Sequence, residues 1–186
     1  MEKNYYISEV KVGQKVENFE AEALLNTGEF GKVSLGENVK KGKWTVVFFW
    51  PLDFTFVCPT EILAMSNSYE ELKSDGIEIF GVSTDSKFSH LAWTKLPVVD
   101  GGIGKINFPM LEDTNHLIAE QFGVLVEEEG IALRGTFIIS PEGILESCAI
   151  NNLNVGRSVE ELKRTIAAFQ SGGLCPMNWN KGDKTL

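Results

Sequence analysis

The chain has 186 residues, 43% of them hydrophobic and 23% charged, which fits one globular domain and excludes a disordered, collagen-like or low-complexity polymer. Its 17 Lys and Arg against 26 Asp and Glu leave a net charge of -9, which argues against a nucleic-acid binder, because such proteins neutralise phosphates with a basic surface. At this length roughly 70% of the unfolded surface is buried on folding, so neither a disulfide framework nor a structural metal is needed for stability.

The amino-terminal twenty residues carry Glu2, Glu9, Glu17 and Glu20 and no continuous apolar core, so they do not read as a secretory signal. From Asn18 to Leu35 two short runs flank Asn26-Thr27-Gly28-Glu29, which predicts a β-hairpin. Gly36 to Lys43 reads as a polar loop. The run Trp44-Thr45-Val46-Val47-Phe48-Phe49-Trp50 lacks polar alternation and is rich in β-branched and aromatic residues, predicting a strand buried on both faces. Its apolar part, Val46 to Pro51, is far short of the ~20 residues of a membrane span. From Ile62 the period changes. Ile62, Met65, Ser66, Tyr69 and Leu72 share one helical face, Glu70, Glu71, Lys73 and Asp75 take the other, and Gly76 stops the helix at its C′ position.

Ile77 to Ser83 predicts a second buried strand, and Asp85 opens a short helix through Trp93, so strand and helix alternate as in parallel β-α-β units. The loop Gly101-Gly102-Ile103-Gly104 precedes a third helix around Asn115 to Phe122. Leu133 to Ile139 and Ile144 to Ile150 flank Ser140-Pro141-Glu142-Gly143 with hairpin-like spacing. Val159, Leu162, Ile166 and Phe169 mark a final helix, with Ser158 and Glu161 in capping-box spacing. Residues 171 to 186 show no periodicity. No repeat or linker interrupts the chain, so the expected fold is an α/β sandwich with a central sheet and helices on both faces.

Three cysteines, Cys58, Cys148 and Cys175, occur without any Cys-x-x-Cys, which fits neither a disulfide scaffold nor a zinc site. With only His90 and His116 besides, metal ligands are scarce; no metal or cofactor is expected, and the reducing cytoplasm is favoured. Cys58 lies in Trp50-Pro51-Leu52-Asp53-Phe54-Thr55-Phe56-Val57-Cys58-Pro59-Thr60-Glu61, which joins the carboxyl end of a buried strand to a helix. Ligands bind at such junctions in open α/β sheets. Asp53 or Thr55 is a candidate cap, and Pro59 is tolerated only in the first helical turn. The free N–H groups and the positive dipole end there favour a thiolate nucleophile. If the segment is helical, Thr55 shares a face with Cys58 and its hydroxyl reaches the sulfur or an oxygen substrate, while Pro51 screens the pocket. The alternative for Cys58 is a buried cysteine acting as a small hydrophobe.

Phe54-Thr55-Phe56-Val57-Cys58-Pro59-Thr60-Glu61, with a second Cys-Pro at Cys175-Pro176, resembles the signature of the typical 2-Cys peroxiredoxins, and in particular that of the peroxidase component of bacterial alkyl hydroperoxide reductases. The likeness spans nearly the whole chain, including Gly81 to Asp85, His90 to Trp93, Leu133 to Phe137 and Cys175 to Trp179. It implies a thioredoxin-like fold over residues 1–170, with a central mixed sheet flanked by helices and an amino-terminal β-hairpin, and a tail over 171–186 that holds the resolving cysteine. It also implies a thiol-dependent peroxidase for hydrogen peroxide and organic hydroperoxides. The catalytic set carried over is Pro51, Thr55, Cys58 and Arg134, with Glu61 and Arg157 orienting the arginine. Cys175 is implied as the resolving cysteine, reaching Cys58 of the partner in a homodimer that assembles as a ring of five dimers. Thioredoxin or a flavoprotein disulfide reductase would recycle the disulfide.

Cys148, in a strand pattern, is expected to be a packed structural residue; Trp93 resembles a family residue near the pocket, but an aromatic on an amphipathic helix is more often core. Sensitive family members pair a Gly-Gly-Leu-Gly loop with a terminal Tyr-Phe; here Gly101-Gly102-Ile103-Gly104 is present and no Tyr-Phe follows Cys175, so slow overoxidation is expected. Two other readings stand beside the peroxidase: a thioredoxin-type oxidoreductase, disfavoured by the lack of Cys-x-x-Cys, and a ring-forming holdase.

Overall fold

The computed structural model describes residues 10 to 186. The beginning of the stretch read as lacking a secretory pattern lies outside them. The chain forms two compact units, one ending at Gly156 and one comprising Arg157–Leu186.

The first unit is built on a seven-stranded sheet, and the predicted hairpin forms its edge. Strands β1 (Glu20–Leu24) and β2 (Phe30–Ser34) pair antiparallel, Leu24 opposite Phe30, around a turn in which Gly28 takes φ +86°. The segment read as a polar loop is instead helix α1 (Leu35–Lys40), started by the Ser34 hydroxyl, which accepts the Glu37 N–H at 3.4 Å. Six residues with one glycine are too few to show a period. The buried run is β3 (Trp44–Phe49), and the amphipathic segment is α2 (Cys58–Ser74), with Asp75 as its C-cap and Gly76 following at φ +79°.

Strand β4 (Ile77–Ser83) lies parallel to β3, and β5 (Met110–Glu112), too short for the sequence reading to find, lies parallel to β4. Helix α3 (Lys87–Lys95) starts from Ser86, which accepts the Ser89 N–H, rather than from Asp85. Helix α4 (Leu117–Gln121) occupies the centre of the predicted third helix. A small hairpin of β6 (Leu125–Val126) and β7 (Ile131–Ala132) leads into β8 (Arg134–Ile139) and β9 (Leu145–Asn151), the predicted second hairpin.

The sheet order is β2-β1-β5-β4-β3-β8-β9, parallel in the middle and antiparallel on both sides. It is therefore the expected mixed sheet flanked by helices, with β3 inside it and β9 at its edge. The edge position corrects the expectation for Cys148, which lies on β9 but is exposed. The core under the sheet joins Val47, Phe49, Phe80, Val82, Phe122 and Phe137. Phe122 and Phe137 meet edge to face, with centroids 4.8 Å apart, the favoured arrangement for aromatic quadrupoles. In the second unit, α5 (Val159–Gln170) begins at Ser158, whose hydroxyl accepts the Glu161 N–H at 3.2 Å.

Candidate active site

Two features of the sheet place the site. β3 delivers the chain to Trp50, whose N–H donates to Val82 O at 3.1 Å, and the loop from Pro51 to Val57 then turns into α2. Because β8 runs antiparallel to β3, with Thr136 opposite Phe48, its first residue Arg134 arrives beside the carboxyl end of β3. Residues far apart in sequence thereby converge on the start of α2.

Cys58 is the first residue of that helix and is 0% exposed. Pro59 sits in the first turn, as expected. Neither candidate cap is used. The N-cap is Val57, in αR conformation and with no side-chain cap hydrogen bond, so no side chain takes the helix-start donors. Thr55 donates its hydroxyl to Leu52 O at 3.0 Å and lies in the loop ahead of the helix, so the shared helical face expected for it and Cys58 does not form. Phe54, at φ +56°, sets the chain in the left-handed region just before it, a conformation that costs a residue with a Cβ about 1 to 2 kcal/mol. Pro51 is buried in the same loop.

Arg134 meets Cys58 directly. Its Nη1 carries two hydrogens, directed to Cys58 Sγ at 3.4 Å and to Glu61 Oε2 at 2.8 Å. Nε donates to Leu153 O at 2.7 Å, which fixes the plane of the guanidinium. Arg134 and Glu61 side chains are each 4% exposed, so this ion pair is out of water. Such a pair adds little net stability because desolvation offsets the attraction, yet it strongly constrains geometry. Glu61 sits one turn after Cys58 on α2, and the helix thus presents both the sulfur and the carboxylate that holds its partner. Leu153, the third point of attachment, lies in a loop that Asn151 folds by donating to Val155 O and Gly156 O.

A buried polar cluster fixes the other side of the loop, and the sequence reading missed it. Asp53, one of the two candidate caps, accepts the Trp50 indole N–H at 3.0 Å and the Ser89 hydroxyl at 2.9 Å, and lies 2.7 Å from His90 Nδ1. The other ring nitrogen faces Leu111 O at 3.2 Å, a pure acceptor, so it carries a proton. The Asp53 N–H donates to Asp85 at 2.8 Å. Burial, followed by the neighbouring Asp53 charge, pushes the Asp85 carboxyl above its ordinary value. The one signal in the sequence was a lone Asp within an apolar loop, with Ser89-His90 on a following helix. Trp93 is core as read: it is fully buried and donates its indole N–H to Gly101 O, which ties the glycine-rich loop to α3.

Of the predicted residues, Cys58, Glu61 and Arg134 are thus brought into contact, and Pro51 and Thr55 belong to the loop that delivers Cys58. Arg157 and Cys175 belong to the second unit. The Cys175 sulfur lies 3.3 Å from Ser171 Oγ.

Residues 12–148 match the AhpC/TSA family. The chain belongs to that family. It is 52% identical over 97% of its length to the whole of the Bacillus subtilis protein YkuU, which carries the peroxiredoxin name. It is 48% identical to peroxiredoxin prdx-2 of Caenorhabditis elegans, covering 97% of this chain and 90% of that one. Among solved structures, reduced 2-Cys peroxiredoxin of Plasmodium vivax superposes with a TM-score of 0.90 at 40% identity, covering 94% and 91% of the two chains. Enterococcus faecalis AhpC gives 0.82 at 42% identity, covering 90% and 99%. The fold is the thioredoxin-like one of these proteins, and the family's activity is thiol-dependent peroxide reduction.

Proposed function

We propose that Cys58 is the thiol that reduces the peroxide and that Arg134, Thr55 and Pro51 shape its reaction. The observation that carries this is the buried guanidinium shared between the Cys58 sulfur and the Glu61 carboxylate. The sulfur attacks one oxygen of a hydroperoxide, the O–O bond breaks, Cys58 becomes a sulfenic acid, and the other oxygen leaves as alkoxide or hydroxide and takes up a proton. Negative charge therefore travels from sulfur to the departing oxygen. Arg134, which cannot lose its own charge, is a fixed donor along that path, in a site where exclusion of water strengthens each such interaction. Thr55 has committed its hydroxyl hydrogen to Leu52 O, so its oxygen is left to accept the O–H of the incoming hydroperoxide. Arg157, at the head of the second unit, is assigned with Glu61 to orienting Arg134.

The second step falls to Cys175. It displaces hydroxide from the sulfenic acid of Cys58, giving a disulfide and water, and thioredoxin or a flavoprotein disulfide reductase returns both thiols. We assign the disulfide to two chains of a homodimer that assembles as a ring of five dimers in the cytoplasm. Relatives named as 2-Cys peroxiredoxins support the second cysteine, and the exposed edge of β9, open to pairing with another chain, supports the dimer. No helix among the described residues is long and apolar enough to cross a membrane.

One equivalent of peroxide, followed by non-reducing gel electrophoresis with each cysteine replaced in turn, tests this. A cross-linked dimer that requires both Cys58 and Cys175 and is indifferent to Cys148→Ser is expected. Full peroxide turnover by Cys58→Ser would overturn the assignment.

A further inference from the structure

Cys175 follows the end of α5 and is part-exposed. Its neighbours Leu174 and Met177 are 73% and 91% exposed, and a groove of about 790 Å³ opens between the tail and α5. Among the described residues the hydrogen-bond partners of the sulfur are acceptors. Ser171 Oγ, 3.3 Å away, spends its hydrogen on Ala168 O at 2.7 Å, and the carbonyls of Ala168 and Gly173 lie 3.6 and 3.8 Å from the sulfur. The thiol is therefore the donor in these contacts and points back at the last turn of the helix.

Beside the burial of Trp179, polar contacts fasten this segment. Arg164 forms a two-pronged pair with Glu161, Nε to Oε2 at 2.8 Å and Nη2 to Oε1 at 2.9 Å, and its remaining nitrogen Nη1 donates to Trp179 O at 3.0 Å. Thr165 donates its hydroxyl to the same carboxylate at 3.0 Å. Trp179 is 4% exposed, donates its indole N–H to Asp183 O at 3.0 Å, and anchors a turn that Asp183 closes by accepting the Asn180 N–H. One guanidinium thus ties α5 to Trp179, four residues beyond Cys175.

We infer that Arg164 is a positioning residue for the resolving step: with Glu161 it clamps the tail at Trp179, and release of this clamp limits how fast Cys175 reaches an oxidised Cys58. This rests on the reading of Cys175 as the resolving cysteine. While the clamp is closed, the thiol faces α5. Once it opens, the Cys175 sulfur bonds to the Cys58 sulfur as the S–O bond of the sulfenic acid breaks, and the hydroxide leaves with the thiol proton as water. A slower release leaves the sulfenic acid standing longer, and a second hydroperoxide then competes to make the sulfinic acid.

The test is a single turnover with hydrogen peroxide, in which loss of the Cys58 thiol and growth of the disulfide are followed separately by rapid quenching, alkylation and mass spectrometry. In Arg164→Met the disulfide is expected to form about threefold to tenfold faster, the loss expected for one charge-assisted anchor on a part-exposed surface. Oxidation of Cys58 should keep its wild-type rate, and sulfinate per turnover at high peroxide should fall by a similar factor. Arg164→Lys, which keeps a cationic donor for the Trp179 carbonyl, should fall between the two. Glu161→Gln, a gentler change at the same clamp, should move the disulfide step in the same direction. Disulfide formation at or below the wild-type rate in both Arg164→Met and Glu161→Gln would overturn the clamp while leaving the role of Cys175 intact. A wild-type chain that forms no disulfide between Cys58 and Cys175 would overturn that role and the clamp with it.

Discussion

The two cysteines of the proposed cycle occupy opposite ends of helices. Cys58 opens the 17-residue α2, fully buried, with a guanidinium donor against its sulfur. Cys175 follows the 12-residue α5, part-exposed, with its sulfur among a hydroxyl and carbonyls that accept. A helix carries partial positive charge at its start and partial negative charge at its end. In the proposed cycle the same side chain is thereby offered a donor where charge would develop and leave, and accepting hydrogen-bond partners where it would wait its turn. Sequence position along a helix, rather than the residue type, separates the two roles.

Removing the donor should break this contrast most severely. Arg134→Met is expected to slow oxidation of Cys58 by about 10² to 10³, as loss of one preorganised donor does in other water-excluded sites, measured by stopped-flow competition for hydrogen peroxide. It should also cost about 3 kcal/mol of stability in urea titration, because the Glu61 carboxylate loses its buried guanidinium. The double variant Arg134→Met, Glu61→Met should regain stability without regaining rate. If rate returned as well, the arginine would be serving the fold alone.

A second helix start, that of α4, sharpens the comparison by showing that donors there do not decide charge unaided. The Asp113 carboxylate accepts the N–H groups of Ile118 and Ala119 at 2.9 and 2.7 Å, yet burial outweighs both bonds and its pKa is raised from 3.8 to about 6. The folded chain therefore holds this proton more tightly than the unfolded one. Its stabilising contribution, up to about 3 kcal/mol, is complete below pH 4 and is lost as the pH rises through 6. Asp113→Asn should remove that part of the slope when urea midpoints are compared between pH 4 and 7. An unchanged slope would show the burial cost to be absent.

The smallest effect concerns the acceptor end. Ser171→Ala removes the hydroxyl nearest the Cys175 sulfur but leaves the Ala168 and Gly173 carbonyls and the Arg164 clamp, so disulfide formation should change by less than about threefold. A larger change would shift control of this step from the clamp to the thiol's own contacts.

Period and composition were enough to read β3, β4 and α2, because buried strands and an amphipathic helix repeat over six or more residues. They could not find α1 or β5, which span less than two turns or a few residues. The placing of Cys58 at a helix start was legible from Pro59, and its contact with Arg134 came through family resemblance alone, since 76 residues separate them. The reading of Asp53 and Thr55 failed for one local and one distant reason. Phe54 at φ +56° delays the helix until Cys58, and the partners of Asp53 come from Asp85, Ser89 and His90, which no local pattern connects to it. Cys148 was assigned to the right strand but the wrong environment, because a strand's own residues do not say whether a neighbour pairs on its far side.

The antiparallel seating of β8 against β3 has a consequence for the newly made protein. Cys58 belongs to the part of the chain synthesised first, whereas Arg134 reaches it only after β8 has been made and has paired alongside β3. Until that strand is laid in place, the growing polypeptide carries a thiol without its arginine. With the role proposed for Cys58, reactivity toward peroxide would be switched on by completion of the sheet, and a chain stalled before β8 would carry a cysteine without its arginine.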